Sequence, residues 1–376
     1  MRVLVITPTP THPATQGNRV RVAQVAGAMK DAGATVDLLY YAIDGSDQES
    51  INAMRAAWDT LYLVPTGGFR PRRAHPAYWG VDDWVSPNLL QAVRFLAETT
   101  HYDAVIVNYV WCSLLLDCFT DPRTLRILDT HDAFGGRHEV ARQAGMQPHW
   151  FYTSLEEEGR GLDRANLVLA IQSDEARHFA AITATPVVTI EYAAPPHYLP
   201  ATQADSLTIG YLGSGNPWNV RSVEEFDAAL ALSLAETPRV AWPKLYLFGG
   251  ITRSVKDLKV FQPLGMVDDV ADAYGVLDIV VNPMVGGTGL KIKTVEALAF
   301  GKPVLSTKAG GAGLEAIHTD LLHDDLAGMI DRLHHLIDHP EEVAPLAASM
   351  RAGYQAFYDS VHERLGDLAK RVGHDR

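Results

Sequence analysis

The stretch that decides the fold is NPMVGGTGLKIKTVEALAFGKPVLST, residues 282–307. An apolar strand ends at Asn282, a loop with three glycines follows, and the apolar spacing then predicts a helix over 290–300. Gly301 closes that helix just before another strand. A glycine-rich loop at a helix N-terminus leaves backbone N–H groups unpaired at the positive end of the helix dipole. The stretch therefore predicts an anion-binding turn between two strands of an α/β sheet.

Three charged side chains at the start of this helix indicate what the anion is. Lys291 and Lys293 lie in the first predicted turn, where cations are unfavourable for the helix because they face its positive end. A bound diphosphate gives their position a reason. Glu296 lies one to two turns further on, where a carboxylate can accept hydrogen bonds from both hydroxyls of a ribose. Spacing alone leaves an alternative open, a glycine-rich turn with two solvated lysines and a surface glutamate.

The rest of the chain alternates between apolar runs and segments with helical spacing. Continuous apolar runs predict buried strands at 3–6, 36–39, 103–107, 125–128, 167–171, 207–212, 244–248, 278–282 and 303–306. Such alternation is typical of open, mostly parallel sheets with helices on both faces. A chain of 376 residues, at about 150 residues per domain, predicts two domains, and the proline-rich stretch at 191–206 indicates the linker. The predicted fold class is α/β, with two doubly wound Rossmann-like domains facing each other across a cleft.

Composition argues against several classes of protein. The formal net charge of −13 at pH 7 argues against a duplex nucleic-acid binder, which needs a basic face. No apolar run approaches the roughly 18 residues of a membrane span, and the apolar N-terminal run is too short for a secretory signal. Only two cysteines, Cys112 and Cys118, are present, which excludes a disulfide scaffold and a cysteine-ligated zinc site. We therefore expect a cytoplasmic protein.

The segment at 282–307 resembles the donor-binding signature of glycosyltransferase family 4, the glycosyl transferases group 1, whose members have the two-domain GT-B fold. Other stretches resemble the same family in the same order along nearly the whole chain. They are TPTPTHPATQGNRVRVAQVAGAMKDAGATVDLL (7–39), LRILDTHDAF (125–134), LDRANLVLAIQSDEARHF (162–179), YLGSGNPWNVRSVEEF (211–226) and FQPLGMVDDVADAYGVLDIVVNPM (261–284). The resemblance implies a metal-independent enzyme of the hexosyltransferase type that needs no cofactor and retains the anomeric configuration of the transferred sugar.

The resemblance also implies roles for individual residues. The two catalytic residues would be His131, in the active-site loop, and Lys291, which would neutralise phosphate charge. The donor would be held by Gly17, Asn18, Arg19, Gly213, Gly265, Met266, Val267, Gly287, Thr288, Gly289, Leu290, Lys293 and Glu296. Within that set Glu296 would bind the ribose, and the backbone N–H groups of 287–290 would bind the diphosphate and the sugar.

Two departures from the family pattern bear on activity. Thr288 stands eight residues before Glu296, where many members have a first glutamate that contacts the sugar. Ser214 and the region of Asn219 replace an arginine and a lysine that follow the first strand of the second domain. We interpret the paired lysines at the start of the signature helix as carrying that electrostatic role instead. Because of these two departures, the resemblance does not indicate which sugar the donor carries.

The function that the resemblance implies is transfer of a sugar from a UDP-, GDP- or dTDP-linked donor to an acceptor hydroxyl. The product would be a cell-surface polysaccharide or glycoconjugate, and the acceptor would be a sugar, a lipid-linked sugar or a protein. Two alternatives stay open. A nucleotide-sugar epimerase on the same fold would need further catalytic acids, and a non-catalytic nucleotide-binding homologue would keep only the fold. No nucleic acid is expected as a partner.

The linker and the C-terminal tail give the domain boundaries. The predicted N-terminal domain covers 1–195, and the predicted nucleotide-sugar domain covers 205–350. From about residue 320 onward the tail shows helical spacing and no strand pattern. Because chains of this fold cross back, we expect a C-terminal helix at 354–376 to pack on the N-terminal domain.

Two further features have competing interpretations. The basic and aromatic segment GGFRPRRAHPAYWGVDDW, residues 67–84, fits contact with a membrane surface or a lipid-linked acceptor. Packing of its aromatic side chains on the N-terminal domain is the interpretation that we favour. The acid pairs Asp82 with Asp83 and Asp268 with Asp269 are predicted to cap helices rather than to bind a metal.

Overall fold

The computed structural model describes residues 1–14, 16–143, 145–200, 206–236, 242–286, 289–317 and 322–374. The chain divides into two compact units. The first unit comprises Met1–Tyr192 with His362–Arg376, and the second comprises Ala193–Val361. Each unit contains one sheet whose strands pair in parallel. The predicted α/β fold class, with a doubly wound sheet in each half of the chain, is confirmed.

The first unit is built on a seven-stranded sheet of order β3-β2-β1-β4-β5-β6-β7. Its strands are β1 (Arg2–Thr7), β2 (Thr35–Tyr41), β3 (Thr60–Val64), β4 (Ala104–Asn108), β5 (Leu125–Asp129), β6 (Leu167–Ala170) and β7 (Val187–Thr189). Its helices are α1 (Gly17–Asp31), α2 (Gln48–Ala57), α3 (Pro87–Thr99), α4 (Arg137–Gln143), α5 (Leu155–Leu162) and α6 (Ser173–Ala180).

The centre of this sheet also locates the first unit's candidate site. Strand β1 pairs with β2 on one side and with β4 on the other, and its side chains from Val3 to Ile6 are buried as its apolar run predicts. The order of the strands along the sheet reverses between β1 and β4. In open α/β sheets, ligands bind outside the carboxyl ends of the strands at such a reversal. The polar residues that follow β1, β4 and β5 therefore form the first candidate site.

The second unit repeats the plan with a six-stranded sheet of order β10-β9-β8-β11-β12-β13. Its strands are β8 (Thr208–Leu212), β9 (Lys244–Phe248), β10 (Gln262–Gly265), β11 (Ile279–Asn282), β12 (Val304–Thr307) and β13 (Leu322–His323). Its helices are α7 (Pro217–Glu236), α8 (Val270–Gly275), α9 (Ile292–Ala299), α10 (Leu326–Asp338) and the first part of α11 (Val343–His374). The strand order reverses between β8 and β11, so the segments after these two strands form the second candidate site.

Four of these strands have no counterpart among the predicted ones: β3, β7, β10 and β13. They are the four edge strands of the two sheets. The expectation that the tail beyond residue 320 contains no strand is wrong, because Leu322–His323 pairs with the end of β12. Edge strands are short and exposed along one side, so they lack the continuous apolar runs from which the inner strands were predicted.

The last helix, α11, belongs to both units, since its residues from His362 onward are part of the first unit. In the second unit the hydroxyl of Tyr354 donates a hydrogen bond to the backbone oxygen of Ala194 over 2.6 Å. In the first unit the Arg364 guanidinium donates to the Glu191 carboxylate over 2.6 Å. One continuous helix is therefore anchored in each unit by its own polar contacts.

The divisions between the units fall after residues 192 and 361. The sequence predicts an N-terminal domain that ends at 195, a second domain over 205–350 and a C-terminal helix that begins at 354. Within the part of the chain that the structure describes, no helix is long and apolar enough to cross a membrane.

Candidate functional site

The glycine-rich loop of the second unit leads into helix α9 as the sequence indicates, with the helix beginning at Ile292. Gly289 has φ +77°, a left-handed conformation that favours glycine. Lys291 is the N-cap residue rather than a first-turn residue, and its ammonium group donates to the backbone oxygen of Gly289 over 2.7 Å. Leu290 is buried between them. Gly287 and Thr288 lie outside the described residues.

The side chain of Lys293 connects α9 to two other elements. Its Nζ atom donates to the hydroxyl oxygen of Tyr211, at the end of β8, and to the Oδ1 atom of Asn219, in α7, each over 2.6 Å. It also lies 4.7 Å from the centre of the Tyr211 ring. The Nδ2 atom of Asn219 in turn donates to the backbone oxygen of Ser214 over 2.9 Å. Lys293 thus reaches the segment after β8 in which the sequence lacks the expected arginine and lysine.

The groups that are hydrogen-bonded to Lys293 carry no charge. No described acidic residue forms an ion pair with it, and its partners are a phenol, an amide and, at 3.3 Å, the sulfur of Met284. Burial, together with the like charge of Lys291, lowers the pKa of Lys293 to about 7. At neutral pH the ammonium form is therefore only partly populated, and an anion bound nearby would favour it.

Glu296 lies one turn beyond Lys293 on α9 and has the complementary property. It is half-buried, and its carboxyl group is hydrogen-bonded with the hydroxyl of Tyr274, which is itself fully buried on α8. Burial raises the pKa of Glu296 to about 7, although the hydrogen bond from Tyr274 acts in the opposite direction. A ligand that donates hydrogen bonds to this carboxylate would favour its ionised form.

Glycines bring the ends of three neighbouring strands into close backbone contact. The N–H group of Gly213 donates to the backbone oxygen of Phe248 over 3.1 Å, and that of Gly249 donates to the oxygen of Gly265 over 2.7 Å. Gly249 has φ +88°, and a Cβ atom on it would stand 2.6 Å from the backbone oxygen of Gly213. A side chain at this position would push the loop after β8 away from β9. The predicted donor-binding residues Gly213 and Gly265 therefore lie close together at the carboxyl ends of β8, β9 and β10.

Met266 and Val267, predicted to contact the base, directly follow Gly265 at the end of β10. Met266 is 60% exposed, and Val267 lines an open cavity of about 700 Å³ between β9, β10 and α8. The other apolar walls of this cavity are Tyr246, Phe248, Leu264 and Val276. None of the charged residues of α9 lines this cavity, so it is separate from the lysine and glutamate cluster.

In the first unit, His131 follows β5 in a strained backbone conformation. Its φ of +63° is uncommon for a residue other than glycine and is found most often at functional sites. The Nε2 atom lies 2.8 Å from the Oδ1 atom of Asn108, at the end of β4, and the ring stacks on that of Tyr109 with centroids 4.2 Å apart. The side chain is only 5% exposed. Burial lowers the pKa of His131 to about 4, so the imidazole is neutral near pH 7.

Beneath this histidine lies a fully buried ion pair. The guanidinium of Arg21, on α1, donates to both carboxylate oxygens of Asp129, the last residue of β5, over 3.0 and 3.1 Å. It also donates to the backbone oxygen of Ile190. The carboxylate lies 3.9 Å from the Nε2 atom of His131. Asp129 and Asp132 favour protonation of the ring and Arg21 disfavours it, so burial is what lowers the pKa of His131.

The predicted residues Gly17, Asn18 and Arg19 open helix α1 next to the same group. The amide of Asn18 donates to the hydroxyl of Thr9 over 3.2 Å and is also hydrogen-bonded with the hydroxyl of Tyr109. Arg19 points toward the loop before the helix, where its guanidinium lies 3.5 Å from the backbone oxygen of Pro13. Of the three residues, Asn18 is joined to His131 through Tyr109, whose ring stacks on the imidazole.

The predicted residues of the first unit lie at the start of α1 and after β5, and the described ones of the second unit form two groups, one at the start of α9 and one at the carboxyl ends of β8 and β10. The residues that sequence reasoning missed are their partners, namely Arg21, Asn108, Tyr109, Asp129, Tyr211 and Tyr274. Asn108 ends the apolar run of β4 just as Asn282 ends that of β11, and an asparagine at the carboxyl end of a buried strand was a usable signal. The others depend on contacts between distant parts of the chain.

The aromatic segment at 67–84 packs largely on the first unit, the interpretation that we favoured. Trp79 and Trp84 lie against its apolar core, and the guanidinium of Arg73 covers the Trp79 ring at 5.0 Å. Asp82 and Asp83 do not cap a helix, which corrects the prediction. Asp82 binds a guanidinium, and Asp83 accepts hydrogen bonds from two backbone N–H groups within the segment.

The second acid pair behaves as predicted at one of its two residues. Asp269 caps α8 by accepting a hydrogen bond from the N–H group of Ala271 over 2.9 Å. Among the residues that the structure describes, no group of three histidine, cysteine or acidic side chains is arranged to hold a metal ion.

The family model of the glycosyl transferases group 1 matches residues 206–339, which include α9 and all of its contacts described above. The similarity to this family covers about a third of the chain, within the second unit. The anion-binding turn that the sequence predicts therefore lies in the part of the chain that carries the family's pattern. No curated protein matches the chain.

Solved structures extend the similarity from residues 206–339 to the whole chain. Sucrose-phosphate synthase from Thermosynechococcus elongatus is 16% identical and superposes with a TM-score of 0.75 over 100% of both chains. HepE from Anabaena, solved with UDP-glucose, is 16% identical with a TM-score of 0.67, covering 99% of this chain and 100% of HepE. TarM from S. aureus, solved with UDP, is 11% identical with a TM-score of 0.70, covering 98% of this chain and 99% of TarM. At these identities the likeness establishes the fold, which is GT-B.

Proposed function

We propose that this protein is a retaining glycosyltransferase that moves a sugar from a nucleotide-diphosphate donor to an acceptor hydroxyl. The observation that carries the proposal is the pair of ionisable side chains on one turn of α9. Lys293 and Glu296 are both held near neutral pKa by burial, and both have only uncharged partners among the described residues. A diphosphate would supply the negative charge that Lys293 lacks, and ribose hydroxyls would supply the donors that Glu296 lacks.

The contacts of Lys293 support its assignment as a replacement for the missing basic residues. Its ammonium group is hydrogen-bonded to Asn219, which lies in the region where the family pattern has a lysine. The positive charge therefore belongs to a residue of α9 but lies next to the start of α7. Lys291 adds a second cation at the helix N-terminus, and the N–H groups of 289–290 and the helix dipole add partial positive charge. In this role the site stabilises the departing diphosphate as the glycosidic bond breaks.

The proposed reaction retains configuration without a covalent sugar–enzyme intermediate. The acceptor hydroxyl attacks the anomeric carbon from the face that the diphosphate leaves, and the leaving phosphate oxygen takes the hydroxyl proton. We assign His131 to the transferred sugar as the second catalytic residue and expect no divalent metal to be required.

The donor that we propose to test first is UDP-linked, because HepE and TarM, which share the fold, were solved with UDP. The sugar is proposed to be a hexose, and the acceptor a sugar, a lipid-linked sugar or a protein in polysaccharide or glycoconjugate synthesis. A cytoplasmic location stays a prediction, and contact of the 67–84 segment with a membrane stays the alternative to its packing on the N-terminal domain.

The test begins with nucleotide binding. Thermal unfolding is measured with UDP, GDP, dTDP and their sugars, and a ligand at about 100 times its dissociation constant should add about 2.7 kcal/mol of stability. In Lys291→Ala we expect binding to weaken by about 1.5–3 kcal/mol. Lys30→Ala is the control, because Lys30 is bonded to Ala57 and Asp59 within the first unit.

The outcomes separate the candidate functions. If the two lysine substitutions weaken binding equally, Lys291 does not contact the diphosphate. If none of the nucleotides or nucleotide sugars stabilises the protein, the proposal is refuted. Where a nucleotide sugar binds, an assay of products with a panel of acceptors decides among the candidates. Transfer with a retained anomer supports the proposal, a change in the donor sugar itself indicates an epimerase, and binding without turnover indicates a non-catalytic homologue.

A further inference from the structure

The orientation of one buried amide fixes the chemistry of His131. Asn108 is 1% exposed, and its side chain lies between the backbone oxygen of Ile6 and the imidazole. The distance from its Nδ2 atom to the Ile6 oxygen is 2.9 Å. A carbonyl oxygen can only accept a hydrogen bond, so the NH₂ group of Asn108 must face Ile6 and the amide oxygen must face the ring.

We infer that Asn108 is a positioning residue that holds His131 as the neutral tautomer with its proton on Nε2 and with Nδ1 free to accept a hydrogen bond. The amide oxygen lies 2.8 Å from Nε2 and has no proton to give, so Nε2 must be the donor. A neutral imidazole carries one proton, and Nδ1 therefore keeps its lone pair. No described residue is hydrogen-bonded to Nδ1.

Burial favours the neutral state of the ring, against two neighbouring carboxylates. Asp129 and Asp132 favour protonation, but Arg21 and burial disfavour it, and burial is the largest of these effects. The stacked Tyr109 ring and the left-handed backbone at His131 also restrict rotation of the imidazole. A ring that can neither turn nor take up a second proton near pH 7 presents the same acceptor atom throughout.

A fixed acceptor suits the proposed reaction, and this step of the inference rests on the proposed function. Nδ1 would accept a hydrogen bond from a hydroxyl of the transferred sugar and so orient it for attack. A protonated His131 could not accept that bond. The tautomer itself is a property of the free protein and can be measured whether or not transfer occurs.

The direct test is ¹⁵N NMR of the protein labelled at histidine, with the His131 signals assigned by their loss in His131→Gln. We expect a protonated Nε2 and an unprotonated Nδ1 across about pH 6 to 8. A protonated Nδ1 in this range, as the other tautomer or as the imidazolium, would overturn the inference. Absence of transferase activity would count against the proposed function and leave this result standing.

A second test uses Asn108→Asp, which keeps an oxygen opposite Nε2 but makes it anionic. The carboxylate should raise the pKa of His131, so that Nδ1 becomes protonated as the pH falls. The turnover of the variant at saturating donor, divided by that of the wild type, should fall by about tenfold from about pH 8 to about pH 6.

The control is Asn166→Asp, the same change at an exposed asparagine that accepts hydrogen bonds from Arg126. Its turnover ratio should not vary with pH. If Asn108→Asp also gives a ratio that is constant with pH, Asn108 acts only on folding and the inference is wrong. If that variant does not fold, the NMR measurement on the wild-type protein decides.

Discussion

Two buried charges of the first unit, those of Arg21 and Asp129, neutralise each other, whereas Lys293 and Glu296 of the second unit have only uncharged hydrogen-bond partners among the described residues. Arg21 and Asp129 form a fully buried, multiply hydrogen-bonded ion pair, and the imidazole of His131 beside them stays neutral. Lys293 and Glu296 are bonded to amide and phenol groups and have pKa values of about 7. The first arrangement is complete in the free protein, and the second becomes complete only when a ligand supplies the opposite charge.

This difference distinguishes the buried charges that are structural from those that are available for binding. A buried ion pair whose members satisfy each other favours one geometry, and removal of one member leaves a charge without compensation. A buried ionisable group with neutral partners instead shifts its pKa until the neutral form is populated. Substitutions should therefore affect stability in the first unit and ligand affinity in the second.

The largest effect is expected from breaking the ion pair. Asp129→Ala leaves the Arg21 charge buried and should lower the free energy of unfolding by about 3–5 kcal/mol. Urea unfolding measures this change. Asp121→Ala, which breaks the exposed pair with Arg123, is the control and should leave the midpoint almost unchanged. A small effect at Asp129 would show that the first unit does not depend on its buried pair.

The next largest effect is expected at Glu296. Glu296→Ala removes the carboxylate proposed to accept two ribose hydroxyls, so the affinity for UDP-glucose should fall by about 2–4 kcal/mol. The protein should remain folded, because the carboxyl group is bonded only to a tyrosine hydroxyl among the described residues. Calorimetric titration and a melting curve measure the two properties. Normal nucleotide binding by this variant would contradict the assignment of Glu296 to the donor ribose.

Lys293→Met should separate stability from binding most clearly. The substitution removes a partly buried cation that has no acidic partner, so the melting temperature of the free protein should rise. The affinity for UDP-glucose should nevertheless fall by about 1.5–3 kcal/mol, since a charged hydrogen bond to the diphosphate is lost. A variant that loses stability and keeps its affinity would contradict the comparison at this residue.

The sequence predicts the inner strands and not the edges. Runs such as Ala104–Asn108 are buried on both faces and therefore continuously apolar, which makes them easy to recognise. The edge strand Gln262–Gly265 consists of a glutamine, a proline, an exposed leucine and a glycine. It pairs with β9 through backbone groups only, so its side chains give no signal.

The candidate site was predictable to a similar degree. Two lysines at a helix N-terminus, where they oppose the dipole, indicated an anion before any contact was known. The partners of Lys293 were not predictable, because Tyr211 and Asn219 precede it by more than 70 residues and meet it only in the folded sheet. The same holds for Asn108, whose amide joins β1 to the loop after β5.

Proton linkage adds a pH dependence to the second unit. Folding lowers the pKa of Lys293, so its contribution to stability becomes more favourable as the pH rises from about 7 toward 10.5. Folding raises the pKa of Glu296, so its contribution becomes less favourable as the pH rises from 4.5 toward about 7. The two contributions together disfavour the free protein most strongly near pH 7, where each group is partly in the charge state that a diphosphate sugar needs.

The most direct test of this account is the pH dependence of UDP-glucose binding, measured by calorimetry in buffers of different ionisation enthalpy. UDP-glucose has no terminal phosphate with a pKa near 6, so the titrating groups belong to the protein. We expect the affinity to be highest near pH 7 and to decrease on either side, with a slope that approaches about tenfold per pH unit. Binding should take up a proton above pH 7 and release one below it. Lys293→Met should remove the alkaline limb and Glu296→Gln the acid limb. Binding with an affinity independent of pH and without proton exchange would contradict the claim that these two residues receive the donor.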